Sequence, residues 1–445
     1  MRITYLFAIL IILINFPVLN SQNIFITNEQ FKDNNIILAF HYGKKAFLLK
    51  EDKSNDMGIT AFYNDSLESG IYYIFFPDSS TVEFMYDKDY TGDVSISFDS
   101  TNDAFMINGP VVSESYMRYL NSINKIEHKN VNSIDSLNKY YSGLYPNSLL
   151  EVYLRARQKV KIPDKNNFSD SAIADSEIWN YRLNYYYKHF LDNVDLSDKR
   201  LLSTPVFVEL IDKFILKVTP QSIEGLSRSV EYVINRARDD SVTRSFTVDY
   251  LIQLFNNKKN DAIYEYVLLE LIEKYYLTDN HSLSKKANAA LIREYNLRKP
   301  GSLHQIAPDI LLPGESGKLV SLHELKNTYT LLYFYNYNCP LCNKLIPAIN
   351  KLINRYNYLN IEVMAVCTGT DSKEWLKYIH SHKIGHWTNV IDSNEFASYY
   401  NLSYTPTLFF LDSGKKIIGK NINITQLEEI LLEEAKSTYK DLKAR

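Results

Sequence analysis

The chain contains 445 residues, of which 45% are hydrophobic and 23% are charged, and its formal net charge is −3. Its length predicts about three domains, and its apolar content excludes an intrinsically disordered chain. Acidic and basic residues are interspersed, which argues against the basic face that nucleic-acid binding requires. Three cysteines are too few for a disulfide scaffold, so either chemistry or packing must account for the thiols.

The N-terminus has the layout of a secretory signal. Arg2 precedes an apolar run over residues 3–14, and the small residue Ser21 precedes a plausible cleavage site before Gln22. The run is shorter than the ~20 apolar residues that a bilayer span requires. We therefore predict a signal peptide over residues 1–21 and an exported protein, with an uncleaved anchor as the alternative.

Residues 22–110 carry short β-type runs separated by turn-forming residues, which predicts a small antiparallel β domain. The predicted strands are residues 36–40, 46–49, 71–76, 82–85 and 94–98.

Residues 111–298 change to helical spacing of apolar residues, which predicts an all-α accessory domain. One such pattern covers residues 251–276 on both sides of a polar break. Tyr181, Tyr185, Tyr186 and Tyr187 recur at helical spacing, and we interpret them as core packing, with a binding surface as the alternative.

Residues 299–445 alternate strand and helix patterns, which predicts an α/β layer fold. The predicted strands are residues 331–335, 361–366, 407–411 and 416–418, and the predicted helices are residues 340–356, 372–383, 394–400 and 425–436.

The sequence Cys339-Pro340-Leu341-Cys342 lies between the first of these strands and an amphipathic helix. Two cysteines in the first turn of a helix bring their sulfurs within bonding range. The positive end of the helix dipole stabilises a thiolate at Cys339, and Pro340 suits the first helical position. A C-x-x-C motif between strand and helix in an exported α/β domain indicates a redox-active dithiol.

Two other interpretations of the dithiol are weaker. A zinc site would need ligands from Cys367, His380, His382 or His386, but two of these histidines fall on opposite sides of a predicted helix. A purely structural disulfide over four residues would constrain little of the unfolded chain. We predict no metal and no cofactor. Cys367 is interpreted as a small buried strand residue, with a third exchanging thiol as the alternative.

Residues 307–435 resemble the TlpA/ResA-type branch of the thioredoxin superfamily. The resemblance rests on the segment 331–342, on Pro347 within the following helix, and on Tyr404-Thr405-Pro406-Thr407. It implies a C-terminal thioredoxin fold and a cis peptide bond at Pro406, which would let the Thr405 backbone pair with a substrate chain. A structural trans proline is the alternative, since Pro406 begins a strand. The upstream regions are similar to accessory domains of large exported bacterial thioredoxin-like proteins.

Three positions depart from that family. Tyr333 stands where reductases carry a buried Asp, Leu345 where many members carry a Glu, and Asn338 where a Trp is usual. A buried carboxylate would accept the proton of the resolving thiol. Its absence favours a slower or substrate-restricted enzyme over a fast general reductase.

We therefore expect a thiol-disulfide oxidoreductase of the bacterial cell envelope, in the periplasm, with Cys339 and Cys342 catalytic and Thr405 and Pro406 in substrate binding. Its expected partners are disulfide-containing protein substrates and a membrane-bound electron donor. A partner-binding or assembly protein in which the thioredoxin fold is accessory is the alternative. A peroxidase is disfavoured, because Asn336 occupies the position of the threonine in peroxiredoxin sites.

Overall fold

The computed structural model describes residues 22–64, 67–99, 104–126, 130–163, 175–278, 285–392, 399–402 and 404–443. The predicted signal peptide lies outside these residues, as does most of the helix predicted over 394–400. The chain divides into two compact units: the first contains the described residues up to Thr219 together with Asn235–Arg244, and the second contains Pro220–Ile234 together with the described residues from Ser245 onward.

The first unit begins with eight strands in two four-stranded sheets, ordered β4-β1-β7-β8 and β3-β2-β5-β6. Neighbouring strands are antiparallel except for β1 and β7, which run parallel. One apolar core contains side chains of both sheets, including Ile26 and Leu38, so the sheets form a sandwich. The strands are β1 Ile24–Thr27, β2 Asn35–Tyr42, β3 Lys45–Lys53, β4 Ile59–Phe62, β5 Gly70–Phe75, β6 Thr81–Tyr86, β7 Val94–Asp99 and β8 Ala104–Asn108.

The five predicted strands of this domain correspond to β2, β3, β5, β6 and β7. The three strands that were not predicted, β1, β4 and β8, are only four or five residues long. Alternation over so few residues does not distinguish a strand from a loop. All three lie in the same sheet, so the sequence predicted one layer of the sandwich better than the other.

The first unit continues with helices whose tyrosines fill a shared core. Tyr116 and Tyr119 are buried, and Tyr153 packs edge-on against Tyr116 with ring centroids 5.8 Å apart. The tyrosine cluster of α4 fits the predicted core packing only in part, because Tyr181 is exposed whereas Tyr187 stacks on Phe214. The helices are α1 Val111–Asn124, α2 Val131–Ser142, α3 Leu149–Ala156, α4 Asp175–His189 and α5 Val206–Lys213, which a π-helical turn extends over Phe214–Val218.

The second unit contains most of the remaining helices of the predicted helical domain. They are α6 Ile223–Arg236, α7 Ser241–Asn256, α8 Ala262–Leu271 and α9 Lys285–Arg298, although the last two residues of α6 and the first four of α7 belong to the first unit. Asp261 caps α8 by accepting hydrogen bonds from the N–H groups of Ile263 and Tyr264, so the helix begins directly after the predicted polar break. The predicted boundaries of the β, helical and α/β domains remain sequence predictions; the compact units group α8 and α9 with the C-terminal fold.

The C-terminal region forms the predicted α/β thioredoxin-like fold around a five-stranded sheet of order β13-β12-β11-β14-β15. Strands β11, β12 and β13 are parallel, and β14 and β15 are added antiparallel. The elements are the hairpin strands β9 Leu311–Pro313 and β10 Leu319–Ser321, then β11 Tyr329–Tyr335, α10 Pro340–Arg355, β12 Ile361–Cys367, α11 Ser372–His382, β13 Thr388–Ile391, β14 Thr407–Leu411, β15 Ile417–Lys420 and α12 Ile424–Lys443.

Strand β11 lies at the centre of this sheet, and all seven of its residues are buried. Tyr333 and Tyr335 point into the core under α10, α11 and α12, whereas Leu332 and Phe334 point into the core on the other face. A strand covered on both faces reads as a continuous apolar run. This burial fixes the position at which the chain leaves the sheet toward the dithiol.

A buried ion cluster joins the helices of the second unit to the edge strand β15. Lys420 and Glu265 form an ion pair with side chains that are 2% and 1% exposed, and Arg298 pairs with the other carboxylate oxygen at 2.9 Å. Burial lowers the pKa of the Lys420 ammonium, and the contact with Glu265 opposes that shift. Arg298 also pairs with Glu294 at 2.6 Å, so loss of Glu265 would leave the buried Lys420 ammonium as the poorly compensated charge.

We therefore predict that Glu265→Gln lowers the free energy of unfolding by about 3–5 kcal/mol. The matched control is Glu273→Gln, which removes an exposed ion pair to Lys299 and should cost less than about 1 kcal/mol. Urea denaturation followed by tryptophan fluorescence would measure both, since Trp375 and Trp387 lie buried in this unit. Equal losses in the two variants would contradict the prediction.

Candidate active site

The two cysteines of the motif lie where β11 gives way to α10. Cys339 is the N-cap residue and Pro340 occupies the first turn, as the sequence predicts. The structure pairs Cys339 with Cys342 in a disulfide whose Cα atoms are 5.3 Å apart. The N–H group of Cys342 donates to Cys339 Sγ at 3.2 Å. The N-terminal end of the helix therefore presents a backbone donor to this sulfur, an arrangement that stabilises negative charge there.

The two sulfur-bearing residues differ in access. Cys342 is fully buried and belongs to the core under α10, whereas Cys339 is only partly buried. Leu341, between them, is 62% exposed. A partner chain can therefore approach Cys339 from solvent, while Cys342 is reached from within the fold.

The peptide bond between Thr405 and Pro406 is cis, which confirms the predicted isomer over the trans alternative. The carbonyl oxygen of Thr405 lies 3.6 Å from Cys339 Sγ. Thr407, at the start of β14, donates its hydroxyl to the carbonyl oxygen of Tyr404 at 2.7 Å. The structure thus brings all four predicted site residues together, Cys339 and Cys342 on α10 and Thr405 and Pro406 in the segment before β14.

The position predicted to lack a buried carboxylate holds a buried phenol. Tyr333 donates its hydroxyl to the carbonyl oxygen of Cys342 at 2.9 Å, and burial raises the pKa of this phenol. Leu345 packs against the core, and Asn338 lies exposed beside the first cysteine. Among the described residues, no hydrogen bond joins a carboxylate to either cysteine.

Comparisons with known proteins point to one family. Residues 303–420 match the AhpC/TSA family. Thiol-disulfide oxidoreductase ResA of Bacillus cereus is 22% identical over 124 residues, which make up 28% of this chain and 72% of that protein. Methylamine utilization protein MauD of Paracoccus denitrificans is 30% identical over 139 residues, 31% of this chain and 67% of MauD. The chain belongs to the thioredoxin-like thiol-disulfide oxidoreductases.

One solved structure also aligns with part of this chain. The thioredoxin-like protein from Bacteroides caccae ATCC 43185 covers 62% of this chain and 98% of its own chain, at 18% identity and a TM-score of 0.44.

The third cysteine of the oxidoreductase, Cys367, ends β12 directly beside Tyr335 of β11. It is fully buried, and burial raises the pKa of its thiol to about 11, although the N–H group of Gly369 and the Tyr335 hydroxyl act in the opposite direction. A thiol with such a pKa carries little thiolate at neutral pH. These properties favour the interpretation of Cys367 as a packed strand residue over that of a third exchanging thiol.

The histidines that were considered as metal ligands have other contacts. The ring of His382 stacks on Tyr378 with centroids 4.0 Å apart, and His386 contacts Asn350 through Nε2 at 3.2 Å. Within the described ranges, no group of three or more His, Cys, Asp or Glu residues is placed to hold a metal ion.

The sequence did not identify the aromatic residues that support the segment before Cys339. The ring of Tyr337 lies so close to Gly369 that an added Cβ would be 2.1 Å from a ring carbon, and the Tyr337 hydroxyl accepts the N–H of Asp371 at 3.2 Å. The signal in the sequence that could have indicated this contact is Gly369, two residues after the end of β12, because close approach of a ring to the backbone requires glycine.

The raised pKa of Cys367 predicts a pH-dependent contribution to stability. The folded-state pKa of about 11 exceeds the ordinary value of 9.0, so the unfolded chain loses the thiol proton first as the pH rises. The contribution of the buried thiol is therefore fully present below about pH 9 and decreases between pH 9 and 11. We expect the stability difference between the native chain and Cys367→Ala to shrink by about 2 kcal/mol from pH 8 to 10.5.

Urea denaturation of both proteins at the two pH values would measure this difference. A difference that stays constant across that range would show that the thiol titrates normally.

Proposed function

We propose that this oxidoreductase acts in the bacterial cell envelope and reduces disulfides of protein substrates through Cys339 and Cys342. The observation that carries the proposal is the position of the partly exposed Cys339, whose Sγ lies 3.6 Å from the carbonyl oxygen of Thr405 beside a cis-proline. A sulfur at a helix N-terminus is suited to nucleophilic attack, and an adjacent open backbone segment can pair with an extended substrate chain.

The reaction proceeds by two thiol–disulfide exchanges. The Cys339 thiolate attacks one sulfur of the substrate disulfide, forms a mixed disulfide and releases the first substrate thiolate. The Cys342 thiolate then attacks Cys339 Sγ, forms the Cys339–Cys342 disulfide and releases the second substrate thiolate. The substrate gains two electrons and two protons, and the enzyme dithiol loses them.

Thr405 and Pro406 have a binding role in this scheme. The Thr405 carbonyl oxygen can accept a hydrogen bond from the substrate backbone, as in β-strand addition. Pro406 has no N–H group of its own, and its cis bond directs the preceding carbonyl toward the dithiol. Before a second turnover the Cys339–Cys342 disulfide must be reduced to the dithiol again, and we assign this step to a membrane-bound dithiol donor.

Trapping of the mixed disulfide tests this function. In Cys342→Ser the second exchange cannot occur, so we expect a covalent enzyme–substrate complex that dithiothreitol releases. The double variant Cys339→Ser/Cys342→Ser should form none, whereas Cys342→Ser/Cys367→Ala should trap as well as Cys342→Ser, since Cys367 is buried. Insulin reduction with dithiothreitol as donor provides the activity readout.

The alternative function, a partner-binding or assembly protein, makes the opposite prediction. If the native protein reduces insulin no faster than Cys339→Ser/Cys342→Ser does, and Cys342→Ser traps no complex, the oxidoreductase proposal is overturned and binding is favoured. If the protein is active, equilibration of the dithiol with glutathione would define whether it reduces or oxidises its substrates, because a reductase requires a more reducing potential than an oxidase.

The envelope location rests on the leader-like segment before Gln22. Among the described residues, no helix combines the length and apolar character needed to cross a membrane. We expect N-terminal sequencing of the protein from an envelope fraction to begin at Gln22. Recovery from the cytoplasmic fraction with Met1 retained would contradict this location.

A further inference from the structure

Three tyrosines form a stack beneath the dithiol, which we name the tyrosine column: Tyr333, Tyr335 and Tyr378. The rings of Tyr333 and Tyr335 lie 5.2 Å apart at 10°, and those of Tyr335 and Tyr378 lie 5.2 Å apart at 25°. All three residues are buried. Burial raises the pKa of each phenol, that of Tyr378 to about 12, so the column is uncharged at neutral pH.

The outer two hydroxyls of the column donate to consecutive residues in the first turn of α10. Tyr333 donates to the carbonyl oxygen of Cys342 at 2.9 Å, and Tyr378 donates to Asn343 Oδ1 at 2.7 Å. The middle hydroxyl, on Tyr335, accepts the indole N–H of Trp375 at 3.0 Å. Side chains from two different elements, β11 and α11, therefore hydrogen-bond to the turn that carries Cys342.

This turn needs support from outside the helix. Pro347 lies within α10 and has no N–H group, so it cannot donate to the carbonyl oxygen of Asn343 four residues earlier. The helical hydrogen bonding is thus interrupted one residue after Cys342. The Tyr333 hydrogen bond to the Cys342 carbonyl lies one residue before that interruption, and the Tyr378 hydrogen bond is made to the side chain of Asn343, the interrupted residue itself.

We propose that the tyrosine column is a positioning device that holds Cys342 for attack on Cys339. The proposal rests on the proposed dithiol function and assigns a positioning role to Tyr333 and Tyr378. Holding a reacting group in place converts exchange between two separate thiols into an intramolecular step. The column positions without accepting a proton, since neutral phenols with raised pKa values are poor bases. The proton of the Cys342 thiol therefore goes to solvent or to the departing substrate thiolate.

Tyr333→Phe and Tyr378→Phe test the proposal, because each removes one hydroxyl and keeps the stacked ring. The matched control is Tyr329→Phe, at the opposite end of β11, where the hydroxyl donates to Glu434 at 2.6 Å and the ring stacks on Phe410. The measurements are the equilibrium constant for oxidation of the dithiol by glutathione disulfide and the rate at which Cys342 resolves a Cys339–glutathione mixed disulfide. Alkylation of Cys339 reports on the first thiol alone.

We expect Tyr333→Phe to lower both the equilibrium constant and the resolution rate about three- to tenfold, which corresponds to loss of one hydrogen bond. Tyr378→Phe should lower them in the same direction. Neither variant should change the rate of Cys339 alkylation. Tyr329→Phe should change none of the three quantities, although it also loses stability because it removes one tyrosine hydrogen bond. A purely structural role for Tyr333 would lower stability and leave the equilibrium constant unchanged.

Two results would overturn the proposal in distinguishable ways. If the native dithiol exchanges with glutathione and Tyr333→Phe behaves as Tyr329→Phe does, the column has no positioning role, and the oxidoreductase function stands. If the native dithiol does not exchange with any disulfide, the proposed function fails and the column proposal fails with it.

Discussion

The geometry of the site depends on the burial of strand β11 on both faces, and the hydrogen bond from the Tyr333 hydroxyl to the Cys342 carbonyl links this strand to α10. Strand β11 is buried on both faces, so its register leaves little freedom for Tyr333. Strand β11 ends at Tyr335, directly before Asn336. Helix α10 begins four residues after Asn336, with Cys339 as its N-cap. The sulfur, the helix terminus and the Thr405 carbonyl therefore meet because apolar burial sets the path of one strand.

The helices α8 and α9 contribute to the same unit through charge as well as apolar contact. Glu265 on α8 binds Lys420 on β15, and β15 pairs with β14, the strand that follows the cis-proline. The Lys420 ammonium lies 5.9 Å from the ring centre of Phe409 on β14. A buried charge cluster is a poor source of net stability compared with apolar packing. It does require a specific arrangement of its members, which suits it to fixing how these helices attach to the edge of the sheet.

The sequence predicted the C-terminal fold well, because strong periodicities coincide there with chemically distinctive residues. The apolar run before Cys339 and the amphipathic helix after it each have one plausible structural interpretation, whereas the proline before β14 left a cis and a trans interpretation open. The parallel pairing of β1 with β7 was not predicted, since pairing between distant strands leaves no local signal. The tyrosine column was also missed. Tyr333 and Tyr335 have the pattern of core residues in a strand, and only the fold brings Tyr378, more than forty residues later, onto the same stack. What a buried hydroxyl contacts depends on tertiary structure, so residue type alone could not identify it.

The unequal burial of the two cysteines also determines the regiochemistry of exchange. An incoming disulfide or oxidant meets the Cys339 sulfur at the surface, while the sulfur of Cys342 is shielded by the core under α10. Adducts with external thiols are therefore confined to Cys339 Sγ, where the Cys342 thiolate can displace them from within the fold. Burial of one sulfur atom thus assigns the two exchanges to different cysteines, with capture at Cys339 and release by Cys342.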